Sequence, residues 1–227
     1  PVFNSIKDFV GLCAILGVPK SSVQCYLPEV RSRYVLRRTK EDLNERLKLP
    51  PCDFQNVEIP MSSAEQDLYE DVYMTAQGIV RDIFRAGTQG MHQMEILECL
   101  LRVRQVMTWP QLYLTGVAKK EGREAPDWSG ESAKMDALLR MIGEHPKEKS
   151  LVFTQFMGEM DEIQRRLKAA GHEVFRIDGS VDKEAREYCI NAFKSSSKAP
   201  VFLIQIKAGG VGLNLQEATR VYITTPA

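Results

Sequence analysis

The apolar positions along this chain change rhythm near Ser132. Upstream they repeat mainly at helical spacing; downstream, helical stretches alternate with short apolar runs. Ile6, Phe9, Val10, Cys13 and Leu16 predict a helix over 5–16, with Asn4 as its cap and Gly17 as its stop. Residues 18–52 contain Pro19, Pro28, Pro50 and Pro51 and are expected to be irregular. Residues 54–59 alternate, which predicts a strand. Ser62 and Glu65 have the spacing of a capping box, opening a long helix through Leu68, Val72, Ala76, Ile79 and Phe84 to about Gly87. A second helix is predicted from about Met91 to Met107. Its apolar face carries Met94, Leu97, Leu100 and Leu101, a stripe expected to pack within the protein rather than on a partner. Residues 115–131, polar and rich in glycine and charge, predict a surface loop.

From Ser132 onward a helix with Met135, Leu138, Leu139 and Ile142 precedes an apolar run, Ser150 to Phe153. A helix with Met160, Ile163 and Leu167 follows and ends at Gly171. Next come a strand at Glu173 to Ile177, a helix from Asp182 to Phe193, a strand from Val201 to Ile206, a glycine-rich turn and a strand from Arg220 to Thr224. Strands that alternate with helices predict an α/β fold: a parallel sheet covered on both faces, with right-handed crossovers.

Composition narrows the function classes only a little. The 227 residues are 44% hydrophobic and 26% charged, with a formal net charge of +0, so any nucleic-acid contact must come from a local patch. Cys13, Cys25, Cys52, Cys99 and Cys189 are scattered without a CxxC pair. His92, His145 and His172 are also dispersed, which argues against a metal site or a disulfide framework. No apolar run approaches the roughly 20 residues that span a bilayer. The chain starts at Pro1 and stops just after a predicted strand, as expected of a piece of a longer protein.

The strongest chemical signal is the turn Lys207-Ala208-Gly209-Gly210-Val211-Gly212-Leu213-Asn214-Leu215, at the end of a predicted buried strand. Glycines there let backbone approach a ligand closely, and in an open α/β sheet this strand end is where ligands bind. A dinucleotide fingerprint fails because Leu215 stands where the third glycine belongs. A Walker A loop fails because no Gly-Lys-Ser/Thr follows. Taken alone, the turn reads as purely structural.

Its company changes that. Pro1-Val2-Phe3-Asn4 resembles the tail of a "TGTPxxN" motif. Leu36-Arg37-Arg38-Thr39-Lys40 with Leu49-Pro50-Pro51 resembles "LRRxK…LP". Gln66 with Tyr69 resembles "SxxQxxxY", at shorter spacing. Val103-Arg104-Gln105 through Trp109-Pro110-Gln111-Leu112 is similar to "LRQxCxHPxL", with Met107 at the cysteine position and Trp109 at the histidine position. Ser132-Ala133-Lys134 is similar to "SxK". Lys149 to Phe156 looks like helicase motif IV. Arg176-Ile177-Asp178-Gly179-Ser180 with Arg186 and Phe193 looks like the "LDGS…R…F" block, and Lys207 to Gln216 like motif V. In this order they resemble the Swi/Snf-type, helicase-like DNA-dependent ATPases of superfamily two, over nearly the whole chain. Three departures mark a divergent member. Ile206-Lys207 replaces the usual Ser-Thr, Thr224 or Thr225 replaces an acidic residue, and no motif VI is present.

The resemblance implies three regions: the end of a first motor lobe and a linker over 1–52, the start of the second lobe with a helical protrusion over 53–131, and the helicase C-terminal RecA-like lobe over 132–227. It implies that ATP and Mg are bound mainly by the first lobe. The partner would be double-stranded DNA, bare or carrying nucleosomes or other proteins, in the nucleus or a viral replication compartment. No catalytic residue is expected within these residues. Thr154, Gln155, Lys207, Ala208, Gly209 and Gly210 are the candidates for the DNA backbone, and Gly212 and Asn214 for the nucleotide. Thr154 and Gln155 read equally as loop polarity, and Asn214 equally as a helix cap. Arg31, Arg33, Arg37, Arg38 and Lys40 fit a solvated hinge or a DNA contact. Asp178 is expected to order its own turn, and Trp109 and Trp128 to pack. A catalytically inactive DNA or protein scaffold of the same fold is the alternative function.

Overall fold

The computed structural model describes residues 6–36, 52–209 and 213–225. The chain divides into two compact units, residues 1–56 and 57–227. In the first, α1 (Ile6–Ile15), α2 (Lys20–Cys25) and α3 (Leu27–Tyr34) enclose a small core of Cys13, Val18, Val23 and Val30. The expectation of irregular chain over 18–52 is therefore corrected across 20–34. Pro19 is the N-cap of α2 and Pro28 lies in the first turn of α3, where a missing N–H costs no hydrogen bond. Arg31 and Arg33 lie in the last turn of α3; Arg37, Arg38, Lys40, Pro50 and Pro51 lie outside the described residues.

Residues 54–59 form no strand: the chain there pairs with no described strand, and Phe54 is 88% exposed. Alternation without a neighbouring sheet edge leaves extended chain only. Then α4 (Ser63–Arg85), α5 (Gln93–Thr108) and α6 (Pro110–Glu121) pack in sequence as a helical layer. The loop expected over 115–131 is helical as far as Glu121, where Gly122 turns the chain out at φ 66°. Beyond it, Gln111 fastens the connection, accepting from the Trp128 amide at 2.5 Å and donating to the Pro126 carbonyl at 2.9 Å. The apolar stripe of α5 is also corrected. Met94 is 78%, Leu97 57% and Leu100 55% exposed, while Cys99, Val106 and Thr108 are buried. The helix is apolar around much of its circumference, so periodicity did not single out its buried face.

The α/β layer begins with α7 (Ala133–Gly143), followed by β1 (Ser150–Thr154), α8 (Met157–Ala169), β2 (Val174–Ile177), α9 (Lys183–Ser195), β3 (Val201–Gln205), the short α10 (Ile206–Gly209) and β4 (Arg220–Ile223). All four strands are parallel, in the order β2-β3-β1-β4. Central β3 is buried on both faces. Val201 and Leu203 join Val152, Met160, Ile163, Leu167 and the apolar face of α7; Phe202 and Ile204 join Leu151, Ile177 and Phe193 on the other side. This two-sided burial is why these runs are continuously apolar rather than alternating. Trp109 packs against the first of these clusters.

Polar residues lock the frame. Glu65 is buried. Its carboxylate accepts the Ser62 amide at 3.0 Å, and its own amide donates to the Ser62 hydroxyl at 3.3 Å, the reciprocal box expected at the start of α4. The same carboxylate accepts the Ala133 amide at 3.3 Å, so it also caps α7, whose Ser132 provides no side-chain cap. At the end of β2, Asp178 accepts the Ser180 amide at 2.8 Å and Arg176 Nε at 2.6 Å; it orders its turn as expected. The Ser180 hydroxyl and amide, with Arg176, hold its carboxyl below the usual range despite burial.

Two outcomes follow for stability. Ser62→Ala should lower the unfolding free energy by about 1 kcal/mol, and Glu65→Ala by about 2–3 kcal/mol because it uncaps two helices. Urea titration checks this, and equal losses would remove the second role of Glu65. A depressed carboxyl contributes stability above its ordinary pKa and loses it as pH falls through the folded value. Asp178→Asn should therefore flatten the fall in melting temperature below about pH 4. A pH series of melting curves with an unchanged acid slope would contradict this.

Candidate nucleic-acid and nucleotide edge

In a sheet buried on both faces, polar side chains collect where the strands end. Here the carboxyl ends of the four parallel strands bring together, in sheet order, Asp178 to Ser180, Gln205 with α10, Thr154 with Gln155, and Thr224 with Thr225. Ligands of open α/β sheets bind at this edge.

The β2–β3 half is tied by two contacts between the Asp178 turn and the segment after β3. The Gly179 amide donates to Gln205 Oε1 at 3.3 Å, and Arg186 Nη1 donates to the Ala208 carbonyl at 2.7 Å. Lys207 is exposed between them, while Ala208 is half-buried against the Phe193 and Phe202 side of the core. Gly209 closes α10; Gly210 and Gly212 lie outside the described residues. Asn214 is exposed and opens no helix, so the cap reading does not apply to it.

In the β1–β4 half, Gln155 is half-buried and its side-chain oxygen accepts from Arg104 of α5. Thr154 is fully buried and its hydroxyl has no hydrogen-bond partner. Such a side chain offers no surface to a phosphate, so Thr154 is corrected from an outward-facing contact to a residue inside the strand end. Glu159 is also buried, in the first turn of α8. Burial pushes its carboxyl up, opposed by Thr224, the Phe156 and Gln155 amides and Lys134. Lys134 is pushed down by burial and held back by Glu159 and Glu65. The Thr224 amide reaches the Phe153 carbonyl at 3.2 Å, and the Thr108 hydroxyl lies 3.2 Å from that of Thr225.

Lys149 stands at the head of the motif IV segment but serves the opposite end of the strand. Its ammonium donates to the Phe193 and Lys194 carbonyls at 2.8 and 2.7 Å, capping the C-terminus of α9. Gln205, Glu159 and the partners of Arg104 and Arg186 were not singled out by the sequence. Both arginines sit in quoted motifs, but only the fold shows which carbonyl each one meets.

At this edge the described residues offer amide and hydroxyl groups and one exposed lysine, a set suited to a phosphate backbone or one flank of a nucleotide. No cluster of three metal-ligating side chains occurs among the described residues.

Residues 133–227 match the helicase conserved C-terminal domain, and residues 1–112 match the SNF2-related domain. Over 98% of its length the chain is 28% identical to the SWI/SNF-related matrix-associated actin-dependent regulator of chromatin subfamily A member 1 of Mus musculus, covering 21% of that protein. The C-terminal domain of the Sulfolobus solfataricus SWI2/SNF2 ATPase superposes with a TM-score of 0.58 at 25% identity, over 75% of this chain and 70% of that one. The ATPase core from the same organism, solved in complex with dsDNA, gives 0.57 at 24% identity, over 87% of this chain and 40% of that one. The chain spans 8 to 21% of the length of the first curated relatives it matches. With the matched sequence domains in chain order and a four-stranded parallel RecA-like layer behind them, the chain belongs to the Swi/Snf-type family of superfamily two helicases.

Proposed function

We propose that this chain forms the second lobe of an ATP-driven motor that moves along double-stranded DNA, gripping the phosphate backbone with the carboxyl edge of its sheet. The observation that carries this is the convergence on one edge of three segments far apart in sequence: Gln155 after β1, Gly179 after β2 and Lys207 after β3. Arg104, Gln205 and Arg186 hold them in place. Backbone contacts of this kind position a protein on a duplex without reading its sequence, as a motor requires. An ATPase core of similar fold was solved in complex with dsDNA, which supports a duplex as the partner.

In this reading residues 1–52 are the end of the first lobe and the linker, 53–131 the start of the second lobe with its protrusion, and 132–227 the RecA-like lobe. Lys207 supplies charge, Gln155 supplies amide donors, and the backbone of Ala208, Gly209 and Gly210 lies against the phosphates. Gly212 and Asn214 flank a nucleotide held mainly, with Mg, by the partner lobe. When bound, ATP supplies the free energy for movement. The residues of this chain orient DNA and close one side of the nucleotide. Chromatin or repair substrates fit what the relatives are named for, and a nuclear location goes with such substrates.

Two measurements test this. Lys207→Ala in the intact protein should weaken duplex binding and lower the slope of log affinity against log salt by about one; an unchanged slope removes Lys207 from the interface. The 227-residue segment has no Gly-Lys-Ser/Thr loop and no arginine finger, a group worth about 10³–10⁵ in rate, so it should hydrolyse ATP at background whether or not duplex is added. DNA-stimulated turnover by the segment alone would overturn that division of labour.

A further inference from the structure

We infer that Arg104, on the helical layer rather than on the sheet, is a positioning residue for DNA engagement through Gln155; this rests on the proposed DNA-facing edge. Arg104 is half-buried on α5, four residues from the helix end, and its Nη2 donates to Gln155 Oε1 across 51 positions of sequence. A side-chain amide has an acceptor end and a donor end, and an unrestrained one presents either. A guanidinium has donors only, so it fixes the sense of the amide it meets. With its oxygen taken by Arg104, Gln155 turns its two N–H donors the other way, and no described residue accepts from them. That is the polarity a phosphate oxygen needs. The reverse orientation would set an oxygen lone pair against an anion.

The helix that carries Arg104 is itself tied to the edge. The Thr108 hydroxyl donates to the Arg104 carbonyl at 2.8 Å and lies 3.2 Å from the hydroxyl of Thr225, beyond β4. Thr108 and Thr225 are both buried. β1 and β4 are neighbouring strands, so the last turns of α5 span the ends of both. The helical layer thereby acts on DNA at one remove, by setting which end of an amide faces outward.

The test measures duplex affinity, its salt dependence and DNA-stimulated ATPase of the intact protein for Arg104→Ala, Gln155→Ala, the double variant and Lys207→Ala. Arg104→Ala and Gln155→Ala should each raise the duplex concentration for half-maximal ATPase by roughly three- to tenfold, the scale of one hydrogen bond. The double variant should be no worse than either single one. Turnover at saturating duplex and the salt slope should stay unchanged in Arg104→Ala. A merely structural Arg104 would lower the melting temperature and turnover but leave duplex affinity alone, which overturns the inference. A salt slope lower by about one in Arg104→Ala would make it a phosphate contact instead, and also overturns it. If Lys207→Ala weakens binding but Gln155→Ala or Arg104→Ala does not, the edge reading stands and this inference falls. If neither Lys207→Ala nor Gln155→Ala weakens binding, the edge reading falls and takes the inference with it. Should Arg104→Ala fail to fold, Arg104→Gln, which keeps the stem without the charge, is read by the same criteria.

Discussion

Everything at the candidate site depends on the burial of β3 on both faces. Val201, Phe202, Leu203 and Ile204 are fully enclosed, so neither face of the central strand can present a polar group to solvent. The chain becomes polar again only where the strands stop, and parallel pairing puts all four of those stops at one edge. The location of the chemistry is thus a consequence of packing. A parallel sheet with helices on both faces leaves it nowhere else to go.

Around that edge several organising contacts run from cations to neutral oxygens. Arg104 meets an amide oxygen, Arg186 a backbone carbonyl, and Lys149, at the far end of β1, two helix-end carbonyls. Among the ion pairs of the lobe, Arg220 meets Glu148 beside β4, Arg166 meets Asp136 between α8 and α7, and Arg176 joins Asp161 to Asp178 at the end of β2.

Much of this was legible in the sequence, for definite reasons. The capping box at Ser62 and Glu65, the stop at Gly171 and the four short apolar runs each rest on local chemistry, and each sits where expected. Expectations failed where local signals are ambiguous. Prolines at helix starts look like prolines in loops, which hid α2 and α3. A glycine-containing polar stretch concealed α6. A helix with apolar residues on more than one face offered the wrong face on α5. Alternation at 54–59 could not reveal that no described strand would pair with it. At the site, Gln155 and Lys207 lie at strand ends as their spacing implies, but no local pattern showed that Thr154 would be fully buried. The partners of Arg104 and Arg186, 51 and 22 residues away, are set by the order of strands rather than by any pattern within a window.

The four residues of α10 are too few to hold a helical turn unaided, since a helix that short spends its conformational entropy on very few internal hydrogen bonds. Its shape is borrowed from neighbours: Arg186 on the Ala208 carbonyl, Ala208 against the aromatic side of the core, and Gln205 on the Gly179 amide. A segment maintained from outside can be released by moving those neighbours, without unfolding any strand. The short helix that carries Lys207 accordingly takes its geometry from the Asp178 turn and α9, and reports their state.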